Sequence, residues 1–160
     1  MKPNVQEQLN TFADDFLSMV IATLTKEQKP YNSYAPFVYY DKHYYFLISK
    51  IAKHYENLVA HKSASVMFIE DESKTPNIFF RKRLSYAIST NLDIKDKAIQ
   101  EAFVNRFGDM ANMLFKMDFV IVKCFIENGR LVVGPGQAYD IDSNMNVIEH
   151  LTSAKGHSRN

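Results

Sequence analysis

The chain has 160 residues and a mass of 18.5 kDa, and 46% of its residues are hydrophobic and 13% aromatic. This composition supplies enough apolar side chain for one packed, soluble domain and argues against a disordered protein. Nineteen Lys and Arg side chains stand against eighteen Asp and Glu, so the net charge of +1 gives no global attraction to nucleic acid or to a membrane surface.

The single cysteine, Cys124, cannot form an intramolecular disulfide, and this is typical of proteins from a reducing cytosol. We expect it to be a small buried hydrophobe. No apolar run is long enough for a secretory signal or a transmembrane helix. The sequence therefore predicts a cytoplasmic protein in which any bound iron is held by histidine or carboxylate side chains.

The first predicted element is an amphipathic helix. Asn4 and Glu7 form a capping-box pattern, and apolar residues follow at helical spacing. Apolar runs bounded by turn residues predict strands further on, and Pro36 places the second strand at an edge or a bulge. The predicted strands of this part are 19–24, 31–40, 43–49, 65–70 and 83–90, with a short helix near Ala52 and a short helical or looped excursion at 71–80.

The last third of the chain predicts the longest helix and two long strands. Residues 94–108 follow helical spacing and end in a glycine, which is a typical helix stop. The strands cover 117–127 and 130–141. Asn128 and Gly129 between them are the strongest hairpin signal in the chain.

Short strands joined by hairpins, with helices inserted singly, favour a mainly β fold with peripheral helices. The arrangement expected is a six-stranded antiparallel barrel. We assign residues 1–141 to this barrel. Residues 142–160 are polar and are expected to form a mobile C-terminal tail.

Charged residues at two strand starts are candidates for ligand binding. Arg81, Lys82 and Arg83 can grip a phosphate or a carboxylate, although a solvated charge run is the commoner interpretation. Asp118 shares its alternation with an apolar strand face. Either a histidine or an arginine from elsewhere partners this carboxylate, or it lies in water at the mouth of the strand.

The region around Gly134 and Gly136 carries few side chains. Placed on one strand face with small neighbours, the two glycines allow a flat ligand to approach the backbone closely. The alternative is a glycine bulge that turns a barrel corner, and Pro135 between the glycines favours it.

None of the five histidines has the spacing of a zinc-binding helix motif. His54 and His61 have the pattern of a wet helix face. His157, beside Gly156 near the end of the chain, is expected to be mobile enough to reach a pocket, although most such residues are ordinary tail histidines.

Six strings, in the same order along nearly the whole chain, resemble the heme-utilisation proteins of the HugZ/HutZ type, which belong to the FMN-binding split-barrel superfamily together with pyridoxamine-phosphate oxidases. They are residues 33–38, 48–58, 67–72, 81–84, 106–108 and 134–139. The resemblance implies a split-barrel homodimer that binds heme near the subunit interface. It also implies oxidative cleavage of the heme to a bilin with release of iron, driven by an external electron donor.

The resemblance further implies roles for individual residues. His157 matches the axial histidine that ligates heme iron, and Asp118 matches the acid that hydrogen-bonds this histidine. Arg83 matches an arginine beside the heme, and His54 a histidine near the dimer interface.

These implied roles fit the chemistry of the remaining candidate residues. Arg81 or Lys82 can join Arg83 in binding the propionates. Gly134 and Gly136 would give the macrocycle a flat wall.

Two other functions stay open. In a flavin enzyme of the wider superfamily, Ser49, Lys50 and the basic triplet would hold the phosphate of FMN. A heme storage or delivery protein would bind heme without turnover, and the hint for it is Pro135, which replaces an aromatic residue of the relatives.

Overall fold

The computed structural model of the protein describes residues 4–151. In that range the helices are α1 (Val5–Thr11), α2 (Lys53–Ala60), α3 (Lys97–Phe107) and α4 (Asp109–Phe115). The strands of the same range are β1 (Ser18–Leu24), β2 (Pro30–Tyr40), β3 (His43–Ser49), β4 (Ser63–Ile69), β5 (Arg83–Asn91), β6 (Phe119–Gly134), β7 (Gln137–Ile141) and β8 (Val147–Leu151). No helix within residues 4–151 is both long and apolar enough to cross a membrane.

Hydrogen bonds join the strands in the order β3-β2-β1-β4-β5-β6-β7-β8, and β3 also pairs with β6. Because of this second pairing, β1 to β6 close into a six-stranded antiparallel barrel, and β7 and β8 extend the sheet beyond it. The predicted mainly β fold and its six-stranded barrel are confirmed. The homodimer stays a prediction.

The second strand changes partner at its proline. β2 pairs with β1 from Pro30 to Pro36 and with β3 from Phe37 to Tyr40. Proline has no N–H to donate, so it is tolerated where one ladder ends and the next begins. β2 lies between β3 and β1 and is not an edge strand, so the predicted edge or bulge at Pro36 is replaced by this change of partner.

One compact unit contains residues 17–66 and 88–125. Its core lies where α3 and α4 cover β2, β3 and β6, and its buried members are Val38, Tyr45, Leu47, Ile99, Phe103, Ala111 and Ile121. The predicted stop at Gly108 is correct, and its φ of 76° lets the chain leave α3. The sequence analysis missed α4, which begins directly after this glycine.

The other unit contains, among the described residues, 4–16, 67–87 and 126–151. The predicted capping box of α1 is confirmed, because Glu7 N donates to Asn4 Oδ1 at 2.8 Å and Asn4 N donates to Glu7 Oε2 at 3.3 Å. Gln6 donates to the carbonyl of Met145 at 3.0 Å and accepts from Val147 N at 2.9 Å. α1 therefore holds the turn between β7 and β8.

The predicted mobile tail, residues 142–160, contains a strand that the sequence analysis missed. Residues 147–151 form β8, which pairs antiparallel with β7 and adds an edge to the sheet. At five residues, this strand is too short to give a clear alternation pattern in the sequence. Residues 152–160, including His157, lie outside the described range.

The predicted hairpin at Asn128 and Gly129 is also wrong. β6 runs straight through both residues, and the turn lies at Pro135 and Gly136 instead. A Cβ added to Gly129 would lie 2.5 Å from Cδ1 of Tyr86 and 2.8 Å from the carbonyl oxygen of Ser85. The glycine is therefore required for close approach to the neighbouring strand and not for a turn.

The Gly129→Ala variant should lower the free energy of unfolding by about 1–3 kcal/mol, because the added methyl group overlaps a buried tyrosine ring and a backbone carbonyl. Chemical denaturation measures this change. Asn128→Ala is the matched control and should change stability by no more than about 0.5 kcal/mol, since that side chain is exposed. A Gly129→Ala protein as stable as the wild type would contradict the close approach, and equal losses in both variants would point back to a turn.

Candidate functional site

The ends of two paired strands bring Ser49 and Asp118 together. Ser49 is the last residue of β3 and pairs with Phe119, the first residue of β6. The Ser49 hydroxyl donates a short hydrogen bond to Asp118 Oδ2. Lys50 N donates to the carbonyl oxygen of Asp118 at 3.0 Å, which ties the two backbones together beside the side-chain bond.

The hydrogen bond from Ser49 holds the pKa of Asp118 below its ordinary value, and the positive charge of Lys50 acts in the same direction. The partial burial of the carboxylate opposes these effects but does not cancel them. Asp118 is therefore ionised at neutral pH. Asp118 lies half-buried at the mouth of the strand, and its side-chain partner among residues 4–151 is Ser49; a histidine partner stays a prediction.

Apolar side chains stand in solvent next to this carboxylate. Ile51, two residues after Ser49, is 90% exposed, and Met117, directly before Asp118, is 64% exposed. Apolar surface beside an oriented anion is typical of a ligand site. The strand mouth can receive a ligand that is largely apolar and carries a hydrogen-bond donor.

Lys50 is engaged in an ion pair of its own. Its Nζ lies 3.5 Å from Oδ2 of Asp93, and Nζ of Lys95 lies 3.1 Å from Oδ1 of the same carboxylate. The interaction with Lys95 is the main reason that the pKa of Asp93 is lowered. These pairs are partly exposed and contribute little to stability, but they reduce the availability of Lys50 to a phosphate.

The basic triplet is only partly free to bind an anion. Arg81 donates to the backbone carbonyl of Glu70 and lies 3.4 Å from a carboxylate oxygen of Glu72. Arg83, at the start of β5, donates one bond to the carbonyl of Arg81 at 2.9 Å. Because a guanidinium has five N–H donors, Arg83 keeps several of them, and the exposed Lys82 keeps its ammonium group.

His54 lies half-buried on α2, and its Nδ1 is 2.8 Å from the hydroxyl oxygen of Ser33. Burial lowers the pKa of this imidazole, so the ring is neutral at pH 7. A neutral imidazole can donate from one ring nitrogen and accept at the other. The sequence pattern predicted a wet helix face here, and the half-buried position corrects that prediction for His54.

The other described histidines do not share a site. His150 Nε2 lies 2.7 Å from the carbonyl oxygen of Gly136, and its ring stacks on Tyr139 with centroids 4.5 Å apart. His61 has a buried Nε2. No group of three or more His, Cys, Asp or Glu side chains in the range 4–151 could hold a metal ion.

The two glycines of the predicted flat wall do not lie on one strand. Gly134 ends β6 and pairs with Gln137, and Gly136, with a φ of 64°, forms the turn between β6 and β7. The ladder is irregular between Val132 and Gly134. The two glycines therefore belong to an irregular ladder and a hairpin turn beyond the barrel and not to a barrel corner, and a role of either glycine in ligand binding stays a prediction.

Cys124 is buried, and this burial raises the pKa of its thiol. The residue is a packing side chain, as the sequence analysis expected.

The sequence analysis missed the contact between Ser49 and Asp118. It considered Ser49 only as a phosphate ligand and sought a histidine or arginine for the acid. The two residues are 69 positions apart, and only the pairing of β3 with β6 brings them into contact.

Residues 5–123 match the family model described as Pyridoxamine 5'-phosphate oxidase. The match covers more than half of the chain, and the protein belongs to this family.

Particular relatives share nearly the whole chain. Heme oxygenase HutZ of Vibrio cholerae is 29% identical over an alignment of 164 positions, which covers 99% of this chain and 93% of that protein. ChuZ of Campylobacter jejuni has a TM-score of 0.84 and 32% identity, with 96% of this chain but only 65% of the ChuZ chain covered. A structure of HutZ described as a heme storage protein has a TM-score of 0.75 and 30% identity, covering 83% of this chain and 96% of that one. The resemblance to proteins of the HugZ/HutZ type is confirmed.

The half-buried His54 should make the stability of the ligand-free protein depend on pH. The pKa of His54 is lowered in the folded state, so on acidification the unfolded chain takes up the proton first. The free energy of unfolding therefore falls as the pH drops through the pKa of the unfolded chain, about 6.5. Urea midpoints between about pH 5 and pH 7 measure this.

The His54→Asn variant should show a shallower pH dependence than the wild type. Ser33→Ala is the control and should keep most of it, because burial and not the hydrogen bond lowers the pKa. Identical pH profiles for wild type and His54→Asn would contradict this assignment.

Proposed function

We propose that the protein binds heme and cleaves it oxidatively to a bilin with release of iron, as part of heme utilisation. The observation that carries the proposal is the ionised, oriented carboxylate of Asp118 at an apolar strand mouth. The proposal is also supported by the similarity, over 99% of the chain, to a protein named heme oxygenase.

The described residues at the strand mouth fit heme as a ligand. A porphyrin brings its own ring nitrogens to the iron, so one protein imidazole completes the binding. An imidazole that donates its other N–H to a carboxylate is a stronger and better-oriented ligand, and Asp118 offers that acceptor. Ile51 and Met117 offer apolar surface to a macrocycle.

We assign iron ligation to His157, which lies outside the described residues, and the hydrogen bond from its ring to Asp118. When bound, heme supplies the iron at which dioxygen is activated to oxidise its own ring, with electrons from an external donor. Within this proposal Asp118 holds the imidazole proton and fixes the ring direction. The protein itself supplies binding, orientation and charge.

The propionates of the heme require cationic partners. We assign Arg83 to this role first, since it keeps several guanidinium donors, with Lys82 as an exposed ammonium group. Arg81 contributes less directly, because its side chain is already bonded to Glu70 and Glu72. His54, Gly134 and Gly136 remain predicted neighbours of the macrocycle.

FMN is the weaker alternative, although family membership alone allows it. The Ser49 hydroxyl, one of the predicted phosphate ligands, donates to the ionised Asp118 instead. A phosphate bound by Ser49 would face that carboxylate, and two anions at one site repel each other. Lys50, the other predicted ligand, is paired with Asp93.

A homodimer is part of the proposal. On the exposed face of β1 and β2, Val20 and Tyr34 are cross-strand neighbours with exposed fractions of 36% and 69%. Contiguous exposed apolar side chains mark an interaction surface. A second copy would cover them and would add concave surface for a ligand as large as heme.

Hemin followed by a reductant under air tests the proposed activity. The Soret band should decay to a bilin spectrum, and a ferrous chelator should detect released iron. His157→Ala should change the iron coordination and block turnover, and Asp118→Asn should slow it, by about 10- to 100-fold if it acts as a partner of the ligand.

His61→Ala is the control and should change neither the iron coordination nor the rate of turnover. Equal heme spectra for wild type and His157→Ala would contradict the ligand assignment. Tight hemin binding without reductant-dependent decay would select the storage function instead.

Light scattering tests the dimer. The wild type should have twice the mass of the chain, and Tyr34→Glu should shift it toward the monomer, because a charge in the apolar contact is costly to bury. Ile148→Glu places the same charge at an exposed apolar residue of β8 and should leave the dimer intact. A monomeric wild type, or a Tyr34→Glu protein that stays fully dimeric, would overturn this surface.

A further inference from the structure

We propose that Ser49 is a positioning residue for the heme ligand: its hydroxyl orients the carboxylate of Asp118 so that Oδ1 accepts the hydrogen bond from the axial imidazole. This inference rests on the proposed function and extends it to a residue two hydrogen bonds removed from the iron-ligating imidazole.

The strand register fixes the relation between the two side chains. Ser49 ends β3 opposite Phe119, so Asp118 lies one residue outside the ladder at the same strand mouth. The backbone bond from Lys50 N to the Asp118 carbonyl, at 3.0 Å, extends the pairing to the acid itself. Because both backbones are tied here, the serine and the acid keep a constant separation.

The direction of the serine hydroxyl follows from its two partners. Ile51 N donates to Ser49 Oγ at 3.3 Å, so the oxygen accepts on that side. An ionised carboxylate only accepts hydrogen bonds, so the hydroxyl proton points to Asp118 Oδ2. Ser49 thus links the start of the segment after β3 to the acid before β6.

This bond uses one of the two carboxylate oxygens. With Oδ2 held by Ser49, rotation of the carboxylate about its own axis would break a charge-assisted hydrogen bond, which is stronger than a neutral one. The backbone N–H groups of Ile51 and of Asp118 itself also stabilise the carboxylate, and together with Ser49 they give it one preferred orientation. An imidazole N–H that approaches the apolar strand mouth meets an acceptor that is already oriented, which lowers the cost of ordering the pair.

Removal of Ser49 should leave the carboxylate of Asp118 in place but with one hydrogen bond fewer to orient it. Loss of a direct partner of a metal-ligating histidine typically costs about 10- to 100-fold in affinity or activity. Ser49→Ala should therefore raise the hemin dissociation constant by less than Asp118→Asn does. Ser49→Thr retains the hydroxyl and should restore the wild-type value.

The iron–histidine stretching frequency of the ferrous heme complex, measured by resonance Raman spectroscopy, reports the strength of the imidazole hydrogen bond directly. Ser49→Ala should lower this frequency part of the way toward the Asp118→Asn value, and Ser49→Thr should return it to wild type. In the Asp118→Asn background, Ser49→Ala should cause no further shift, because the two residues act as one unit. Ser63→Ala, an exposed serine at the start of β4, is the matched control.

If the iron–histidine frequency of Ser49→Ala equals that of the wild type, and the wild-type band is lost in His157→Ala, this inference is overturned while the proposed coordination stands. A further downward shift of the double variant below Asp118→Asn would also overturn it, since Ser49 would then act independently of the acid. A wild-type heme complex without any histidine band would overturn the proposed coordination together with this inference.

Discussion

The hydrogen bond between Ser49 and Asp118 is the interaction on which the account of this protein depends. It joins the end of β3 to the residue before β6, where the same two strands pair to close the barrel. The fold and the candidate site therefore share one element of structure. A carboxylate at such a position is costly unless it is bonded, and the serine both lowers the pKa of the acid and directs it.

Local chemistry, and not global charge, defines the ligand that suits this chain. A net charge of +1 attracts no anionic ligand from a distance, so any propionate must be held by individual cations such as Arg83. The strand mouth has the opposite charge: the carboxylate of Asp118 is a fixed anion beside the exposed apolar side chains of Ile51 and Met117. That pairing suits a large apolar ring whose iron ligand carries an N–H, and it disfavours the phosphate of FMN. The family relationship permits both ligands, and the orientation of one carboxylate favours heme.

Much of the fold could be predicted from local patterns. The capping box at Asn4, the strand at 43–49 and the helix stop at Gly108 each follow from a few neighbouring residues, and the structure confirms them. The failures have a common cause in contacts between distant residues. Gly129 has the sequence signal of a turn, yet it is needed because Tyr86 and Ser85 lie against it.

The same reasoning explains what could be predicted of the site. The apolar alternation identified Asp118 as unusual, but only the pairing of β3 with β6 reveals Ser49 as its partner. A crystal structure of the protein with bound hemin is the most direct test of the central claim. The account predicts the ring of His157 on the iron, with its other nitrogen within about 3.2 Å of Asp118 Oδ1 and Ser49 still bonded to Oδ2. Iron held by another residue, with Asp118 remote from the ligand, would contradict it.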